Sequence, residues 1–170
     1  MRLFSGKISV IAEEIVRTLV ADSDIETPSQ EEVRLDIEAV LKEYLRQDRG
    51  ALDEAKNRME IRGLSYSQLG KMKSAVARER GLAIGDEMLP YVLEQVLTML
   101  FHSANVEEVF ADDLVLRKKM TKIIRRHLDV EGELDQEVRS KNKNLQEGTA
   151  TFEIEYQRVM GELKRKKRLT

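Results

Sequence analysis

The sequence lacks cysteine and tryptophan and has only two prolines, two histidines and few aromatic residues. Without cysteine the chain has no disulfide, no thiolate metal ligand and no thiol nucleophile. Aliphatic residues combined with many lysines, arginines and glutamates, and with few breakers, are typical of helices rather than sheets. We therefore expect an all-α fold.

Neither sign of charge dominates, because 29 basic residues oppose 31 acidic ones and the net charge is −2. A field that attracts polyanions over the whole surface is therefore not expected. The longest apolar run, at residues 96–101, is far shorter than the roughly 20 residues of a membrane span. No uninterrupted apolar segment precedes Lys7, so a signal peptide is not expected either. These features predict a cytoplasmic protein with no membrane partner.

Recognisable catalytic and metal-binding motifs are also lacking. Neither His102 nor His127 belongs to a Glu-x-x-His or His-Glu-x-x-His pattern. The glycines form no phosphate-binding loop, and no serine lies in a nucleophile-elbow pattern. An acidic run surrounds Gly132, but an EF-hand needs glycine at its sixth loop position and glutamate at its twelfth, whereas counting from Asp129 these positions hold Leu134 and Ser140. We predict no catalytic residue, no metal site, no cofactor and no enzymatic activity.

Apolar residues recur at helical spacing along most of the chain. Ile8 to Leu19 follow the i, i+3, i+4, i+7 rule, and Ser29 starts a capping box before a second such segment. Gly50 is expected to mark a turn, followed by a short third helix and by a fourth that ends at Gly81. The same plan repeats in the second half, where Gly132 marks the corresponding turn, and predicts eight helices in total.

The two halves match at a nearly constant offset. A shift of 81 residues places the apolar positions of the first helix on those of residues 89–101, and a shift of 83 places Ile37 on Met120 and Leu41 on Ile124. Because helix, loop, helix and glycine turn recur in one order, we interpret the chain as a duplication. The predicted fold is two tandem four-helix units packed together without a β-sheet: residues 1–82, and residues 83–170 with a basic C-terminal helix.

Several stretches resemble a known bacterial family, called domain of unknown function 507. They are Met1-Arg-Leu, Glu31-Glu-Val-Arg-Leu, the stretch from Leu134 to Lys141, and Phe152-Glu-Ile-Glu-Tyr156 through to the basic end. The resemblance covers nearly the whole chain, as two diverged tandem copies. It implies a small helical bacterial protein, with no established activity and no functional residues to carry across.

Two basic clusters are the most informative remaining features, and both are candidate nucleic-acid contacts. A helical stripe of this kind could neutralise phosphates and release counterions, although no aromatic residues are interleaved for base stacking. The alternative is a solvated helix face with cations near a helix C-terminus. The candidates are Arg117, Lys118, Lys119, Lys122, Arg125, Arg126, Lys164, Arg165, Lys166, Lys167 and Arg168.

Two functional hypotheses follow. The first is a non-enzymatic helical interaction or scaffold module that binds a protein partner or an assembly. The second is an RNA-, DNA- or ribosome-binding protein that uses the stripe at residues 117–126 and the tail at residues 164–168. Salt-dependent binding to nucleic acid distinguishes the two.

Overall fold

Seven α-helices lie within residues 2–169, the part of the chain that the computed structural model describes. The helices dominate the fold, which confirms the predicted all-α class. Three short 3-10 turns precede α1, α3 and α4. The helices are α1 Ile8–Ala21, α2 Gln30–Arg62, α3 Leu69–Glu79, α4 Met88–His102, α5 Asp113–Leu128, α6 Val130–Lys141 and α7 Ala150–Lys166.

The second and third predicted helices are one continuous helix of 33 residues, α2. The prediction of a turn at Gly50, and of four helices in the first half, is therefore wrong. The buried residues Ala51, Ala55 and Met59 continue the apolar face of α2 beyond the glycine. α3 runs back along this extension and keeps it helical, and this packing outweighs the cost of a glycine inside a helix, about 1 kcal/mol. Ser29 caps α2 as expected, accepting a hydrogen bond from the Glu32 amide at 3.3 Å.

A two-stranded antiparallel pairing corrects the expectation of no β-sheet. β1 (Ile25–Glu26) follows α1, β2 (Glu108–Val109) follows α4, and Ile25 pairs with Val109. The Glu107 amide also donates to the Glu26 carbonyl at 2.8 Å. The two interhelical loops thus meet and satisfy each other's backbone groups, a long-range contact that hydrophobic periodicity does not reveal.

One hydrophobic core joins α1 to α5 and crosses the predicted boundary near residue 82 without interruption. Of eight residues predicted to be core, seven are buried, and Val40 is half-buried beside an open groove. The seven are Ile15, Leu19, Leu41, Val96, Leu100, Ile123 and Ile124.

A second, smaller core is built from α6 and α7. α6 begins at Val130, so Gly132 is helical and the chain breaks one turn earlier than predicted, at Asp129, whose carboxylate caps the Gly132 amide. The two ends of the chain meet beside this core. The Gly6 amide donates to the Arg168 carbonyl at 3.4 Å, and a Cβ on Gly6 would overlap the carbonyl group of Lys167.

Candidate functional site

Half of the predicted basic stripe on α5 is engaged in ion pairs. Arg117 contacts Glu94 and Asp113, and the hydrogen bonds to these carboxylates raise its pKa. The other two such residues also reach acids far away in sequence. Lys119 contacts Asp22 at 2.8 Å and Asp24 at 2.5 Å, and Arg126 contacts Glu14 of α1. These three cations hold the helices and loops together.

The other three cations of the stripe are exposed. Lys118, Lys122 and Arg125 are spaced i, i+4, i+7 and share one outward face of α5. Within residues 2–169 no carboxylate side chain forms an ion pair with any of them. This face, which we call the α5 stripe, presents three positive charges to solvent.

The basic tail at residues 164–168 is divided in the same way. Lys164 contacts Glu131 at 3.3 Å, and Lys167 contacts Glu137, so two tail cations bind the acidic run of α6. Arg165 and Lys166 are exposed in the last turn of α7. Arg168 ends that helix in a left-handed conformation with φ 56°. The structure therefore does not present the five residues of the tail as one continuous cationic surface.

Arg168 instead joins three cations of α2 that the sequence analysis did not single out. A groove of about 570 Å³ is lined by Arg168, Lys42, Arg46 and Arg49, together with Ser5, Ile8, Leu45, Gly50 and Asp53. Lys42, Arg46 and Arg49 repeat the i, i+4, i+7 spacing of the α5 stripe, so a search for that spacing would have found them. The approach of Arg168 depends on tertiary packing at Gly6. We call this feature the cationic groove.

Two of the four groove cations have acidic neighbours. Lys42 lies 3.2 Å from Glu38, and Arg46 donates two hydrogen bonds to Glu43, which lower the pKa of that carboxyl to about 2. Among the described side chains, no carboxylate forms an ion pair with Arg49 or Arg168. Positive charge is therefore in excess along the groove.

The histidines lie at structural contacts. His127 is mostly buried between α5 and α1, and its Nε2 lies 2.5 Å from Glu14. Burial lowers the pKa of this imidazole, and the nearby Lys7 and Arg126 charges lower it further. Exposed His102 has its Nδ1 2.8 Å from the Thr98 carbonyl oxygen, within its own helix.

The most prominent exposed apolar residues lie at the end of the α2–α3 hairpin. Ile61 is 77% exposed, Tyr66 is 75% exposed, and Leu64 between them is also exposed. Every residue from 61 to 68 is exposed, so this end of the hairpin projects beyond the core. We call residues 61–68 the hairpin tip. Scattered single apolar residues are ordinary on a surface, but a local group at a projecting end indicates a contact site.

A smaller apolar groove, about 290 Å³, separates α2 from α4. Its walls are built around Tyr44 and Tyr91, whose ring centroids lie 6.0 Å apart, and the half-buried Val40. The Tyr44 hydroxyl donates to the Ala83 carbonyl at 2.9 Å, and burial raises its pKa. Tyr44 therefore links α2 to the segment before α4.

No helix within residues 2–169 combines the length and apolar character that a membrane crossing needs. The fold and these surfaces define an all-α protein with a projecting helical hairpin and separate cationic surfaces. The chain belongs to the family described as Protein of unknown function (DUF507), whose model matches residues 1–169. A search of curated proteins finds no match to this chain.

Proposed function

We propose that this protein is a non-enzymatic interaction module of the bacterial cytoplasm that binds a protein partner through its hairpin tip. The observation that carries the proposal is the exposure of Ile61, Leu64 and Tyr66 together at the end of the α2–α3 hairpin. Burying one such side chain on a partner is worth about 1.5–3 kcal/mol, and tyrosine is enriched among residues that dominate interface energies.

The hairpin is braced as a rigid arm, which favours binding because little order is lost when a partner docks. Arg58 of α2 contacts Glu79 of α3 at 2.7 Å and also Glu54 within its own helix. Lys73 of α3 contacts Asp48 of α2 at 2.8 Å. α2 is about 50 Å long at 1.5 Å per residue, so these pairs support a long arm whose apolar end is free of the core.

Paired substitutions test the tip. Ile61→Ser with Tyr66→Ser removes two exposed apolar side chains and should leave the fold intact, because neither is buried. Ile154→Ser is the matched control, since Ile154 is 68% exposed on α7, away from the hairpin. A partner captured from nuclease-treated bacterial lysate should be purified and titrated with each variant. We expect the tip variant to bind at least tenfold more weakly and the control to bind as the wild type does.

An equal affinity for the wild type and the tip variant would contradict the proposal, provided that circular dichroism shows both to be folded. Loss of binding in the Ile154→Ser control would contradict it as well, because the contact would then not be specific to the hairpin. Capture that disappears after nuclease treatment would transfer support to nucleic acid.

Nucleic-acid or ribosome binding is the second candidate, and the α5 stripe favours it. Lys118, Lys122 and Arg125 are exposed without acidic partners, so their charges are available to phosphates. If they neutralise phosphates, log affinity should fall linearly with log salt, by about 0.9 per contact on duplex DNA and 0.7 on single strands. Reversal of all three to Glu should weaken binding to every sequence alike. No retention of the wild type on RNA or DNA at about 50 mM salt would eliminate this candidate.

We also propose that the chain arose by tandem duplication, with residues 1–82 and 83–170 as the diverged copies. The strand pairing supports this, because a shift of 83 turns Ile25 into Glu108 and Glu26 into Val109, so each copy contributes the same two positions. A twofold relation between the copies would produce that register.

A second correspondence supports the duplication independently. Lys119 of α5 holds Asp22 and Asp24 in the first loop. Asp36 of α2, 83 residues earlier than Lys119, accepts hydrogen bonds at 2.7 and 2.9 Å in the second loop. The donors are Ser103 and Asn105, which lie 81 residues after Asp22 and Asp24. The anchoring scheme is thus the same in both copies, with the polarity exchanged.

A further inference from the structure

We propose that the cationic groove is a binding site for a compact phosphorylated ligand: a small molecule that carries a phosphate or a short polyphosphate. The site consists of Lys42, Arg46 and Arg49 on one face of α2, with Arg168 opposite them at the end of the chain. It is separate from the hairpin tip and from the α5 stripe, and it does not depend on the function proposed for either.

The chemistry of the lining selects a multiply charged anion. Four cations line the groove, and Asp53 is the only carboxylate among its lining residues. Three of the four are arginines, whose planar guanidinium forks match phosphate oxygens in pairs. A phosphate monoester carries about two negative charges at neutral pH, so it balances this excess better than a single carboxylate does.

The geometry selects a compact ligand over an extended backbone. Residues 42–49 span only seven helical steps, about 10 Å at 1.5 Å per residue. Arg168 faces this short segment across the groove rather than extending it along the helix axis. The cations therefore converge on one volume of about 570 Å³, whereas the α5 stripe on the outer surface has no opposing wall.

Arg168 carries an independent indication. Its φ of 56° lies in the left-handed region, where glycine is unstrained and other residues are uncommon. It is the residue that ends α7, with the Leu169 amide donating to the Lys164 carbonyl at 2.8 Å, a position usually held by glycine. The helix end alone would be better served by glycine, so the arginine side chain at the groove is accommodated against backbone preference.

The test uses the full chain and tripolyphosphate as the probe, titrated calorimetrically at low salt. The double variant Arg49→Gln with Arg168→Gly removes the two groove cations without acidic partners and also relieves the left-handed strain. Lys118→Gln with Lys122→Gln is the matched control, because it removes two exposed charges from the α5 stripe. Thermal unfolding of each variant establishes that the fold is retained.

We expect the wild type and the control to bind tripolyphosphate with equal affinity, and the groove variant to bind at least tenfold more weakly while unfolding at the same or a higher temperature. Equal weakening in both double variants would overturn the proposal, because only net charge would then matter. Absence of wild-type binding would also overturn it. So would binding of a single-stranded RNA oligonucleotide without binding of tripolyphosphate, because the ligand would then be a nucleic-acid backbone.

Discussion

Replacing Gly6 with alanine should disrupt the contact between the two ends of the chain. A methyl group there would overlap the Lys167 carbonyl oxygen and lie 2.9 Å from its carbonyl carbon. Both are backbone atoms, so rotation of a side chain cannot relieve the clash. If the backbone shifts to accommodate the methyl group, overpacking costs about 1–3 kcal/mol.

If the tail detaches instead, the buried Leu169 leaves its cluster and about 1.5–3 kcal/mol is lost. Both routes predict destabilisation of about 1–3 kcal/mol, and each kcal/mol lowers the unfolding midpoint by roughly 2–4 °C for a chain of this size. Detachment also moves Arg168 away from the cationic groove. Gly6→Ala should therefore weaken tripolyphosphate binding as well as stability.

The same substitution at two other glycines provides the control. Gly70 of α3 and Gly161 of α7 have no neighbouring heavy atom within 4 Å of the position that an alanine methyl group would take. Alanine is the better helix former, so Gly70→Ala and Gly161→Ala should each stabilise by about 0.5–1 kcal/mol. Urea unfolding followed by circular dichroism measures all three. If Gly6→Ala is as stable as Gly161→Ala, the reasoning about the close approach is refuted.

Two further predictions concern the two cores. Leu41→Ala and Leu100→Ala, both at fully buried sites, should each lower the free energy of unfolding by about 2–5 kcal/mol; shifts no larger than those of surface variants would disprove their placement. In the smaller core, the Tyr156 hydroxyl donates to Asp135 at 2.6 Å and, with Arg139, holds the pKa of that carboxyl below its ordinary value. The stabilisation by Asp135 is therefore complete above the ordinary aspartate pKa and is lost as the pH falls through the lowered one. Hydrogen exchange in α6 and α7 should show Asp135→Asn less protected than the wild type at neutral pH but equally protected in acid; a difference independent of pH would contradict the assignment.

Periodicity predicted most of the helices because each carries a continuous apolar stripe. It failed at Gly50, where local turn preference and tertiary packing disagree. The apolar face of α2 resumes at Ala51, and α3 supplies the surface on which it packs. The preference of an isolated glycine is small compared with the burial of a helical hairpin.

The charged surface was harder to predict than the core. Lys119 and Arg126 looked equivalent to Lys118 and Arg125 in the sequence. They differ because their acidic partners, Asp22, Asp24 and Glu14, lie about a hundred residues away in the chain. Ion pairs between distant residues have no local signal, so sequence alone could not separate structural cations from available ones.

The cationic groove lies between these two cases. The i, i+4, i+7 spacing of Lys42, Arg46 and Arg49 is visible in the sequence, whereas the position of Arg168 depends on the packing of the tail against Gly6. The hairpin tip could not be predicted either. Its apolar residues became significant only when the structure placed them beyond the core.

The central claim is that the hairpin tip contacts a protein partner, and site-specific photo-crosslinking in bacterial cells tests it most directly. A photoreactive phenylalanine analogue is incorporated in place of Tyr66, and in a second strain in place of Ile154, which is similarly exposed. The account predicts one discrete protein adduct from position 66 and none from position 154. No adduct from position 66, or the same adducts from both positions, would contradict it.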